Sequence, residues 1–143
     1  MKKVFLLLLS VIALNVYALA DKPVTFAQLP QKAQQFINKH FGDVGFLSAK
    51  QDDGEYEVML KDGTKIDFTL QGDWKKVDCE GRPVPVGYFP ESISAYVVTN
   101  YSGAYIEEIQ FEHNRYEVGL EGLGYADVDL LFDKEGQFIG LDD

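Results

Sequence analysis

Six carboxylates sit at strand-like spacing: Glu55, Glu57, Asp67, Glu117, Asp127 and Asp129. Lys65 and Arg115 lie among them. Each alternates with apolar residues, Tyr56, Val58 and Leu60 in one run and Tyr116, Val118 and Leu120 in another. Period-two alternation sends the acids to one side of a sheet and the apolar residues to the other. Carboxylates on neighbouring strands come within about 5 Å and repel unless a cation or a basic partner intervenes. Three readings follow for such a face. It is a docking surface for a basic protein patch, a calcium site built from hard oxygen ligands at Glu57, Asp67, Asp127 and Asp129, or a solvated face with local ion pairs. No EF-hand spacing is present, because Asp52-Asp53-Gly54-Glu55 lacks alternating ligands and a distant glutamate.

Aromatic residues form a second group with binding chemistry. Large amphipathic rings dominate interface hot spots, and Trp74, Tyr88, Phe89, Tyr101, Tyr105, Tyr116 and Tyr125 are available. Tyr116 and Tyr101 follow apolar stripes and read as core. Tyr88 lies in a linker and Tyr125 beside Gly122-Leu123-Gly124, which favours the surface. Trp74 opens a strand and fits either place. The partner-binding residues expected from both groups are Glu57, Asp67, Trp74, Tyr88, Glu117, Tyr125, Asp127 and Asp129.

Catalytic chemistry finds little to work with, and the chain reads as a non-enzyme. His40 and His113 are the only histidines, one at a helix end where the dipole accounts for it and one in a hairpin. No histidine–carboxylate set has metalloenzyme spacing. No nucleophile signature surrounds Cys79, the only cysteine. A lone thiol in an oxidising compartment is expected to be buried as a small apolar residue. The glycines from Gly119 to Gly124 lack the strand-to-helix setting of a phosphate loop. No cofactor other than calcium is implied.

The elements that would position these residues are legible as one pattern read twice. Pro30 precedes apolar positions Ala33, Phe36, Ile37 and Phe41, and Pro90 precedes Ile93, Tyr96, Val97 and Tyr101. Spacing i, i+3, i+4, i+8 predicts a helix with one buried stripe, and the prolines suit its first turn. After each helix come strand signatures, from Glu55–Leu60 to Trp74–Asp78 and from Arg115–Leu120 to Phe138–Asp142, preceded by a first strand near Gly45–Gln51 and Tyr105–Phe111. Turn sequences separate them: Asp52-Asp53-Gly54, Lys61-Asp62-Gly63, Gln71-Gly72-Asp73, His113-Asn114 and Lys134-Glu135-Gly136. The expected fold is α+β, a tandem repeat of two helix-plus-four-stranded antiparallel meander units. They are expected to form a larger curved sheet with both helices on one face. The boundaries are residues 21–79 and 89–143, with a stiff linker at 80–88, the repeats making one compact domain.

Ahead of this lies a basic start at Lys2-Lys3, an apolar run and Ala18-Leu19-Ala20. This predicts an export signal over residues 1–20, cleaved after Ala20. No later stretch is apolar enough to span a bilayer, so the mature chain is expected in the periplasm or outside the cell, with no membrane insertion. Loss of Lys2 and Lys3 takes the net charge from −10 to −12. Nucleic acid and anionic membranes would repel such a chain, while cations and basic protein patches would attract it.

The order export signal, Leu29-Pro30 helix, meander, Trp74-Lys75-Lys76-Val77-Asp78-Cys79, proline-containing linker, Phe89-Pro90 and second helix-plus-meander resembles the PepSY-like periplasmic proteins. Their fold is similar to the beta-lactamase inhibitor protein. The resemblance implies two α-β4 units in a saddle-shaped sheet whose concave face and loops grip a partner. In the inhibitor proteins that partner is an enzyme, and related PepSY domains are proposed to restrain exported proteases. The expected function is therefore an exported binding protein, an inhibitor of an exported enzyme in its sharper form. The alternative is a calcium- or small-ligand-responsive module using the acidic face.

Overall fold

The computed structural model describes residues 21–124 and 127–142. The export-signal reading of residues 1–20 and the surface role expected of Tyr125 fall outside that range. Nine strands form one antiparallel sheet in sequence order. They are β1 (Lys22–Val24), β2 (Phe46–Asp52), β3 (Glu55–Leu60), β4 (Lys65–Thr69), β5 (Trp74–Asp78), β6 (Tyr105–Glu112), β7 (Arg115–Glu121), β8 (Val128–Asp133) and β9 (Phe138–Asp142). Helix α1 (Gln31–Phe41) lies between β1 and β2, and α2 (Glu91–Asn100) between β5 and β6.

This corrects the expectation of two helix-plus-meander repeat units. The described residues form a single nine-stranded sheet, mostly strand, with two short α-helices. The physical reason lies at the seam. Strand β5 pairs directly with β6 through Lys76↔Gln110, Val77↔Ile109 and Asp78↔Glu108. The pairing continues past β5, with Cys79 N–H donating to Glu107 C=O at 2.9 Å and, from the segment expected to be a linker, Val84 N–H to Ile106 C=O at 2.8 Å. A ninth strand, β1, also joins β2 through Pro23↔Lys50. Its three residues carry too short a pattern to register as a strand, and proline cannot donate to a ladder, so it is tolerated there only because β1 is an edge.

One core joins both helices to the buried face of the sheet. Ala33, Ile37 and Phe41 from α1, and Ile93 and Val97 from α2, meet Val58, Ile66, Phe68, Val77, Ile109, Val118, Leu130 and Phe132. Phe68 and Phe132 are fully buried, each contributing about 3 kcal/mol by area removed from water. Pro30 and Pro90 occupy the N-cap position, one residue earlier than the first turn expected for them. The turn between β8 and β9 is pinned to the start of α2: Ser92 Oγ donates to Gly136 C=O at 2.7 Å. Gly136 has φ +84, and a Cβ there would lie 2.6 Å from Pro90 Cβ. Only glycine meets both demands.

Candidate functional site

The other face of the sheet carries no helix among the described residues and holds the acids. Cross-strand register aligns Lys50, Glu57, Asp67, Lys76, Gln110 and Glu117 in one row running from β2 to β7. Its neighbour runs Met59, Lys65, Asp78, Glu108, Gly119, Asp129 and Asp142, from β3 to β9. Strict alternation would place Lys75 and Lys76 on opposite faces. A bulge in β5 opposite Asp67 and Phe68 prevents this, since bulges re-aim side chains locally. Trp74 turns to the core side, while Lys75 pairs with Glu55 (2.7 Å) and Glu112 (3.6 Å), and Lys76 pairs with Glu108 (3.0 Å).

The face is electrostatically divided. On β2–β5 a cleft of about 470 Å³ is lined by Lys50, Lys65 and Lys76 against Glu57, Asp67 and Asp78, with Ser48 and Met59. Glu55, Glu57 and Asp67 can each bring a carboxylate oxygen within 4.8 Å of the others. Two of the three already have lysine partners, Glu55 through Lys75 and Glu57 through Lys50 at 3.1 Å. Asp67 has no ion pair among the described residues. Burial, then Glu55 and Glu57 beside it, push its carboxyl up to about 6. On β7–β9, Glu117, Asp129 and Asp142 form no ion pair among the described residues. Burial and the nearby Asp142 and Asp129 raise the Glu117 carboxyl. Burial, Asp142 and Asp127 raise Asp129.

The expected site residues therefore separate into groups. Glu57 and Asp67 pair across β3 and β4. Asp129 lies four strands from Asp67, about 19 Å away at the usual spacing, so the four expected calcium ligands do not converge. Glu117 and Asp129 occupy adjacent strands, and Asp127 precedes β8, exposed. Trp74 and Tyr88 are on the helix side. Trp74 packs on Tyr88 (ring centroids 5.1 Å), Phe36, Phe111 and Tyr116. Tyr88, expected at the surface, is wedged between Phe36, His40 and Phe89, its hydroxyl sealed without a partner among the described residues. His40, in the last turn of α1, rests on Phe36 at 4.7 Å, and burial followed by the charge of Lys39 lowers its imidazole. Cys79 is buried, as expected of a lone thiol. The sequence reading missed Lys50, Lys75, Lys76 and Asp142. Their signal lay in strand register and a bulge, which composition does not encode.

Comparison with known proteins follows the same lines. Residues 54–140 match the model of the family described as beta-lactamase-inhibitor-like, PepSY-like. A periplasmic protein of Bacteroides thetaiotaomicron, described as calcium-regulated, is 38% identical with a TM-score of 0.77. The match covers 86% of this chain and 97% of that one. A periplasmic protein of Bacteroides vulgatus is 36% identical with a TM-score of 0.75, over 86% and 97% of the two chains. A second from that organism, of unknown function, is 31% identical with a TM-score of 0.78, over 87% and 100%. Among curated proteins none matches the chain. No described helix is long and apolar enough to cross a membrane. With a family match over more than half its length and relatives that share both fold and sequence, the chain belongs to the PepSY-like, beta-lactamase-inhibitor-like family of periplasmic proteins.

Proposed function

We propose that this protein is a periplasmic binding protein that presents its helix-free sheet face to an exported protein partner, an enzyme it restrains being the sharpest form of that role. The observation that carries the reading is the size and chemistry of that face. Eight inter-strand gaps and strands of three to eight residues span roughly 700 Å², close to the ~800 Å² that one partner gives to a standard interface. The cleft on β2–β5 offers charges of both signs, and β7–β9 offers acids suited to a basic patch. The test is capture of exported proteins from the same cell by residues 21–143, repeated with Glu57→Arg, Glu117→Lys and Asp129→Lys. One enzyme retained by the parent, inhibited by it, and released by the folded triple variant supports the proposal. Retention indifferent to the triple variant overturns the face as the site.

A second reading is favoured by one specific cluster. Glu55, Glu57 and Asp67 offer hard oxygen donors within 4.8 Å of one another, and one relative is described as calcium-regulated. Calcium takes six to eight oxygens, so three carboxylates would need water to complete the shell, and the ion would have to displace Lys50 and Lys75. That competition ranks calcium below partner docking. A melting temperature rising with calcium, by about 2.7 kcal/mol of stabilisation at a hundredfold excess over Kd, and lost in Glu57→Gln, supports calcium. A flat response removes it.

A further inference from the structure

The two ends of the sheet are built differently. At one end β1 is three residues long and contains Lys22 and Pro23, both devices that blunt a strand edge. At the other end β9 pairs with β8 on one side, and among the described residues nothing pairs on its outer side. Its sequence, Phe-Ile-Gly-Leu-Asp, carries three of the large apolar residues that are exposed, Phe138, Ile139 and Leu141 at 40%, 52% and 57%. An edge of this kind is a template for another strand.

The side chains of β9 say what that strand should carry. Phe138 and Leu141 stand opposite the buried Phe132 and Leu130, on the helix side of the sheet. Phe138 is held there by stacking on Tyr96 at 4.4 Å. On the helix-free side Asp142 stands opposite Asp129, and Glu117 lies beside them. None of these three acids has a lysine or arginine partner among the described residues. A second copy of the chain would bring its own Asp142 against this row and add another heavily acidic molecule, so self-pairing is opposed by charge. Past the bulge at Ile139, Leu141 and Asp142 point to opposite sides, so a strand with alternating side chains satisfies both faces there.

We propose that β9 is a strand-addition site that takes an extended segment of a partner protein in which basic residues alternate with apolar ones. The apolar residues extend the layer beside Phe138 and Leu141, and the basic ones neutralise Glu117, Asp129 and Asp142. Backbone hydrogen bonds to the free edge supply affinity, and the alternation supplies selectivity. The idea rests on the docking reading only for the partner being a protein of positive charge.

The test uses a peptide of about ten residues, a strand's length, in which lysine alternates with valine, and a twin methylated on alternate backbone nitrogens. The twin keeps charge and side chains and loses the donors for pairing. The expected result is at least tenfold tighter binding of the unmethylated peptide to residues 21–143, with slowed amide exchange within Phe138–Asp142. The double variant Ile139→Lys with Leu141→Lys, at exposed positions that leave the core intact, should lose the same tenfold, while Glu57→Arg should not. Equal binding of the two peptides, absence of binding, exchange protection confined to β2–β5, or a free protein already dimeric through β9 would each overturn the proposal. Protection on β2–β5 would do so while leaving the docking face standing, which separates the two ideas.

Discussion

Asp67 is held between opposed effects, and its balance can be read by titration. Burial and two neighbouring glutamates raise its carboxyl to about 6 from 3.8, although Lys76 and Lys75 pull the other way. A carboxyl raised on folding favours the protonated fold. Its contribution is fully present below pH 3.8 and is lost as pH climbs through 6. The shift corresponds to about 3 kcal/mol, but the group is only half-buried, and solvent screening reduces this to roughly 1 kcal/mol. Asp67→Asn should therefore raise the melting temperature by about 4 °C at pH 7.5 and leave it unchanged near pH 4. A loss at pH 7.5 would mean that the lysines outweigh the glutamates. Cys79 gives a second residue-scale outcome. Burial raises its thiol and leaves it 3% exposed, so alkylation at pH 8 should be negligible in the folded protein and complete in urea. Rapid labelling of the native state would contradict this. The acids were legible because alternation assigns them a face. Their lysine partners were not, because the side to which Lys75 points depends on a bulge that only the paired strands define.

At the scale of elements, most strands and both helices followed from period and punctuation. The β6–β7 hairpin turns through His113 and Asn114 at φ +54 and +58, the pair of positive values that a two-residue type I′ turn requires. Tight packing of turn against helix was not legible, because it joins residues 44 positions apart. Gly136 carries that contact, and its substitution can be separated from ordinary turn strain. Gly54 also has positive φ, but nothing lies within 4 Å of the place a Cβ would take, so Gly54→Ala should cost only the backbone strain, about 1 kcal/mol. Gly136→Ala adds a clash with Pro90 and Ser92 and should cost about 3 kcal/mol by urea denaturation. Equal costs would show that the α2 start yields freely.

For the whole molecule, the decisive contact is the seam between β5 and β6. Val77 and Ile109 meet there, each fully buried, and neither differs in sequence from any other strand interior. A repeated pattern reveals its members and is silent on whether they share a ladder, which is why the sequence suggested units and the structure has a single sheet. Heat should therefore unfold the chain in one transition, with calorimetric and van't Hoff enthalpies equal. Two resolved transitions would place a boundary at the seam. The strand order, β1 through β9 without a crossover, also governs assembly in time. A chain delivered amino end first would never have to open a finished ladder to admit a latecomer, since each arriving strand adds to the one before it. Growth by local addition keeps loop closure inexpensive and folding fast. It also means that the unpaired edge advances along the sheet as strands arrive and comes to rest at β9, so the last five-residue strand is the one the growing ladder leaves open longest.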